Sequence, residues 1–170
     1  MTALGATHAS TVPPRSEWPE PPPRTQAGDL LTEVIMTTLR LNGRIMEIAQ
    51  TLAAAGDLTA AWWQVLGGIL DRPRSVAEIG RRMGVSRQGV QRVADLLVDR
   101  GLAEYRPNPA HRRAKLLACT EPGHWAIRQI ALVQRPWADR VGAQLGVEKL
   151  QPTLTVMREL VSVLDPDQPT

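Results

Sequence analysis

Leu31, Val34, Leu41, Ile45, Ile48 and Leu52 follow one another at intervals of three, four and seven residues, the spacing of one helical face. Asp29 is placed to cap that helix, Thr38 interrupts its stripe, and Gly56-Asp57 closes it. A helix of about 25 residues exceeds what a small domain needs to close its own core, so it predicts packing against something beyond its own chain. A second helix is expected from Leu58 to Leu70, capped by Thr59, with Trp63, Leu66 and Leu70 on one face and a weak C-terminal half at Gly67-Gly68.

Asp71-Arg-Pro-Arg74 reads as a turn, and Ser75 with Glu78 forms a Ser-x-x-Glu capping box that opens a third, short helix ending at Gly84. Ser86 caps a fourth helix, which Gly101 stops. Val90, Val93, Ala94 and Leu97 share one side of it, while Arg87, Gln88, Gln91, Arg92 and Asp95 share the other. Leu102 to Pro107 predicts a strand, Asn108 to Arg113 a polar hairpin tip, and Ala114 to Thr120 the returning strand.

Beyond Thr120 the pattern is helical again. One helix is expected from Glu121 to Leu145, kinked or broken near Arg135 by Pro136, and another from Val147 to Leu164 with Leu150, Leu154, Met157, Leu160, Val161 and Leu164 on its apolar side. The fold class is therefore mainly α with a small β-hairpin, a helix-turn-helix followed by a wing. The expected organisation is a disordered or partly polyproline arm over 1–26, a dimerisation helix over 27–56, a winged helix-turn-helix over 57–120 and C-terminal dimerisation helices over 121–166.

Charge sharpens the picture. From Arg72 to Lys115 there are 11 Lys and Arg against Glu78, Asp95, Asp99 and Glu104, a net +7, although the whole chain carries only +3. A basic middle between acidic ends is the electrostatic footprint of a nucleic-acid-binding module. No apolar run approaches the roughly 18 residues that span a bilayer, and no basic-then-apolar leader opens the chain, so a cytoplasmic protein is expected. A single cysteine, Cys119, excludes an internal disulfide or an all-Cys metal site. His8, His111 and His124 have no metal-ligand spacing and Cys119 has no evident base, so neither an enzyme nor a cofactor is expected.

Arginine suits guanine O6 and N7, and glutamine suits adenine N6 and N7, so Arg87, Gln88, Gln91 and Arg92 are the candidate base readers of a helix lying in the major groove. His111, Arg112 and Arg113 at the hairpin tip suit phosphate or the narrow minor groove. Ser86, at the helix start, joins the DNA-facing set, and Arg74 and Ser75 are placed to meet a phosphate at the start of the third helix.

Leu58-Thr59-x-x-x-Trp63-x-Val65-Leu66, Val85-Ser86-Arg87-x-x-Val90-x-Arg92-x-x-Asp95-x-Leu97-x-x-x-Gly101-Leu102, Asn108-Pro109-x-x-Arg112-Arg113 and Thr120-x-x-Gly123 together resemble the MarR family of bacterial transcription regulators, over about residues 30–165. The resemblance implies a homodimer in which the first, fifth and sixth helices interlock. It also implies a pseudo-palindromic double-stranded DNA operator and a repressor more often than an activator, frequently released by a small, often aromatic or phenolic, ligand.

In that family the ligand pocket lies between the first, second and fifth helices, where Met36, Arg40, Trp62, Trp63, His124, Trp125 and Arg128 are the candidates. Asn108 and His111 stand where the family usually has acidic residues that brace the wing, and Cys119 stands where it usually has an apolar core residue. The competing reading is a winged-helix protein-interaction module with the Pro-rich arm as a second docking element.

Overall fold

Three successive α-helices after the first each start on a hydroxyl. In the computed structural model, which describes residues 12–110 and 114–164, Thr59 accepts the Trp62 amide at 3.2 Å to open α2 (Ala60–Gly67). Ser75 accepts the Glu78 amide at 3.2 Å to open α3 (Val76–Met83), and Ser86 accepts the Gly89 amide at 3.1 Å to open α4 (Arg87–Asp99). Each such bond satisfies an amide that the first helical turn leaves without a partner. Between α3 and α4 the chain turns at Gly84, whose φ of 65° is the left-handed conformation that glycine adopts without strain.

The strands β2 (Ala103–Arg106) and β3 (Leu116–Cys119) pair antiparallel, with Tyr105 opposite Leu117. The expected two-stranded hairpin is in fact three-stranded. Arg74–Ser75 forms β1 against the other edge of β3, with Arg74 opposite Leu117, giving the order β1-β3-β2. Two residues are too few to show an alternating pattern in sequence.

The core lies where α2, α3 and α4 meet the sheet and α5 (Glu121–Leu145). Leu66, Ile69, Ile79, Val90, Leu97, Leu117 and Ile130 are sealed from solvent there. Thr120 caps α5 by accepting the Gly123 amide at 3.3 Å. A Cβ at Gly123 would stand 2.1 Å from the Leu102 carbonyl oxygen, so only glycine lets α5 begin this close to the chain leaving α4.

Three helix expectations are revised. The first helix, α1, runs Gln26–Ala53 and begins before Asp29, because the Thr25 hydroxyl takes the Gly28 amide at 3.1 Å. Asp29 lies in the first turn and pairs with Arg24 at 3.2 Å, an acid near the positive end of the helix. The α2 helix stops at Gly67 rather than Leu70; beyond it the Ile69 amide bonds Leu66 in a tighter turn. Pro136 does not interrupt α5; it removes one amide donor while the flanking turns keep theirs. The last helix, α6, spans Val147–Val163 and contains Pro152.

The chain divides into two compact units within α1, between Leu41 and Asn42. In the first, Arg15–Glu17 makes one 3-10 turn, the Trp18 indole donates to the Pro13 carbonyl at 2.8 Å, and the Arg15 guanidinium lies 5.6 Å from the Trp18 ring centre. The α1 residues Leu30, Leu31, Val34, Ile35, Met36 and Leu39 are all exposed. Among the described residues no helix is long and apolar enough to cross a membrane.

Candidate nucleic-acid interface

Burial divides α4 as its sequence pattern predicts. Val90, Ala94 and Leu97 point into the core at 1% exposure or less, while Arg87, Gln88, Gln91 and Arg92 are exposed. The polar residues therefore sit on a helix whose other side is fixed by packing, which is how a side chain is presented to a base edge without a loop to position it. A Cβ at Gly89 would meet only the Ser86 hydroxyl, at 3.1 Å, so no neighbouring helix requires glycine there.

An open groove of about 490 Å³ runs between α3, α4 and the sheet, lined by Ser75, Arg87, Gln91, Asp95, Tyr105 and Lys115. Across it, Gln91 Nε2 donates to Asp95 Oδ1 at 2.9 Å and to the Tyr105 hydroxyl at 2.8 Å, and that hydroxyl donates to Asp95 Oδ1 at 2.7 Å. Burial, reinforced by Asp95, pushes the Tyr105 phenol up to about 12, so it holds its proton at neutral pH. The Lys115 ammonium lies 5.7 Å from the Tyr105 ring centre. Sequence reasoning placed Asp95 on the polar face of α4 but gave Tyr105 no role. The signal available was the Gln91–Asp95 spacing of four, which brings an amide and a carboxylate together on a helix.

Arg74 departs from expectation. Its side chain is buried, at 2% exposure for the residue, and its guanidinium donates to both carboxylate oxygens of Asp71 and to the Gly68 carbonyl. Its Nε lies 3.3 Å from Glu78 Oε1 without hydrogen-bonding alignment. The Arg74 hydrogen bond holds the Asp71 carboxyl well below the usual carboxylate range, and Asp71 in turn raises the pKa of Arg74. A guanidinium enclosed in this way is a structural brace of the turn before α3 and has no open face for a phosphate. Ser75 keeps its place on the groove, with its hydroxyl oxygen accepting from α3. His111, Arg112 and Arg113 lie outside the described residues, while Asn108 closes a small turn by accepting the Ala110 amide at 3.0 Å.

The candidate ligand residues are divided between the two units. Met36 and Arg40 belong to the first unit, where Met36 is exposed and Arg40 lies 3.4 Å from the Thr37 hydroxyl. In the second unit, Trp125 is 66% exposed and lines an open cavity of about 500 Å³ with Gly56, Arg100, Leu102 and Gln129. Trp62 is not in the cavity lining but touches one of its lining residues, Arg100. The Arg100 guanidinium lies 4.7 Å from its ring centre and 3.6 Å from Asp57, a cation–π contact that fixes the arginine. Trp63 is half-buried against the core, and His124 and Arg128 are exposed outside the cavity lining. Arg100 was not among the expected ligand residues; in the sequence it is simply the residue before the helix-stopping Gly101. Cys119 is half-buried, its Sγ 3.6 Å from the Thr120 carbonyl, and burial followed by Glu121 pushes its thiol up to about 11, which suits a packing residue more than a reactive one.

A capped helix-turn-helix, a recognition-type helix held by its apolar face and an adjoining three-stranded sheet define a winged helix of the kind found in DNA-binding regulators. A family model described as MarR family matches residues 56–114. An uncharacterized protein of Mycobacterium tuberculosis is 35% identical over 141 residues, 83% of this chain and 99% of its own. The structure is similar to that of the transcriptional repressor CouR bound to a 23-mer DNA duplex, with a TM-score of 0.65 and 26% identity over 81% of this chain and 99% of that one. It is also similar to Staphylococcus aureus MarR in complex with salicylate and kanamycin, with a TM-score of 0.68 and 17% identity over 84% and 97% of the two chains. The winged helix-turn-helix over residues 56–114 is therefore that of the MarR family of transcription regulators.

Proposed function

We propose that this protein is a homodimeric, sequence-specific DNA-binding transcription regulator, acting as a repressor, that inserts α4 into the major groove and rests its wing on the minor groove or backbone. The observation that carries this reading is the two-sided α4, sealed against the core by Val90, Ala94 and Leu97 and open at Arg87, Gln88, Gln91 and Arg92, within a segment of net +7. The related fold of a repressor bound to a DNA duplex supports it. Symmetric dimers place two such helices about one helical turn apart, so the operator is a pair of inverted half-sites.

The second copy is called for by apolar faces that the chain does not cover, including Leu150, Leu154 and Met157 of α6. Release by a small aromatic anion is supported by the cavity where Trp125 offers a stacking face and Arg100 a positive charge, and by a protein of similar fold described in complex with salicylate and kanamycin.

The test is DNA binding by the full chain across a salt series. Arg87→Ala with Arg92→Ala should lower operator affinity by about 1–3 kcal/mol for each lost base contact. Unchanged affinity in the double variant would remove α4 from the interface.

A further inference from the structure

The two hydrogens of the Gln91 amide are both committed, one to Asp95 Oδ1 at 2.9 Å and one to the Tyr105 hydroxyl at 2.8 Å. The orientation of that amide follows from chemistry. A carboxylate only accepts, and the phenol's own hydrogen already goes to the same Oδ1 at 2.7 Å, so the nitrogen of Gln91 must face this pair. What Gln91 retains for a partner is its carbonyl oxygen, which can only accept. An unrestrained glutamine reads adenine by accepting from N6 while donating to N7; here the donating half is withdrawn.

In the major groove every base pair shows an amino group on one strand, adenine N6 or cytosine N4, and a keto oxygen on the other, thymine O4 or guanine O6. An acceptor-only side chain distinguishes amino from keto, and it does not distinguish adenine from cytosine. We infer that Tyr105 and Asp95 are positioning residues that turn Gln91 into an acceptor-only reader, committing it to adenine or cytosine over guanine or thymine at one position of each half-site. Asp95 and Tyr105 sit on α4 and β2, so the wing strand itself sets the base preference of the recognition helix. The inference rests on the DNA-binding reading above.

The experiment is selection from a random-sequence duplex library by the full-length protein, its Gln91→Ala variant, Tyr105→Phe and Asp95→Asn. Gln91→Ala identifies the position that Gln91 reads, as the one whose preference it abolishes. In the wild type that position should hold adenine or cytosine, and exchanging the two bases of the pair should weaken binding about five- to tenfold. Tyr105→Phe frees one amide hydrogen, and the preference at that position should fall to about twofold. Asp95→Asn, which allows the Gln91 amide to turn over, should relax the same position and keeps the test intact if the phenylalanine variant does not fold.

Guanine or thymine at the position lost in Gln91→Ala would overturn the inference. So would a preference unchanged in the variants that fold, or no position responding to Gln91→Ala. Failure of the wild type to enrich any fragment would instead overturn the DNA-binding reading.

Discussion

Leu66, Ile79, Leu97 and Leu117 of the winged helix are closed off from solvent, whereas α6 buries none of its residues and α1 buries only Ala53. Both regions carry aliphatic side chains at helical spacing, and the difference lies in what covers them. Full burial of one such side chain contributes about 1.5–3 kcal/mol. The winged helix has realised that gain within the chain. The flanking helices leave theirs open, with Leu154 at 43% and Val161 at 71% exposure. On the proposed homodimeric reading, one region is built to fold and the other to associate.

The largest expected effect comes from breaking the second region. Leu154→Lys together with Val161→Lys should give a monomer in sedimentation velocity and weaken operator binding about 10²–10⁴-fold, since each half-site is then bound alone. A dimer surviving both charges would end the contrast. Next is Leu97→Ala in the first region, expected to cost about 2–5 kcal/mol in denaturant unfolding, as for other leucines removed from closed cores, with the oligomeric state unchanged under native conditions. A cost below about 1 kcal/mol would show that the winged helix does not hold its own core.

The smallest effect sharpens the boundary where the winged helix meets α5. Burial raises Cys119 from an ordinary value of 9.0 to about 11, so the folded state keeps a proton that the unfolded state gives up. That contribution is fully present below pH 9 and is lost as pH rises to about 11. Thermal melting of Cys119→Ala should therefore fall less steeply than wild type across that window. Tyr105, raised from 10.0 to about 12, continues the alkaline loss in both proteins. Parallel melting curves would place the Cys119 thiol in water.

Much of this division is legible in the sequence because it depends on local chemistry. Thr59, Ser75 and Ser86 each announce a helix start, and the placement of Val90, Ala94 and Leu97 tells which side of α4 turns inward. Features that depend on a distant partner are not legible. Arg74 reads as an exposed turn arginine, and only the pairing of β1 with β3 encloses it beside Asp71. Tyr105 reads as a strand residue, and only the register of β2 brings its hydroxyl to Gln91, fourteen residues away. At the start of α1, Asp29 reads as the cap, and only the fold shows the Gly28 amide bonding the Thr25 hydroxyl instead.

For anyone wishing to redirect this regulator to a new operator, the outward face of α4 is not a row of equivalent sockets. On the proposed DNA-binding reading, Arg87, Gln88 and Arg92, each exposed on that face, would be exchanged one at a time. Gln91 is wired to Asp95 and to Tyr105 on the neighbouring strand. A replacement there inherits a carboxylate and a phenol set for a glutamine, so on the inference drawn above specificity at that position would be transplanted as a set of three residues.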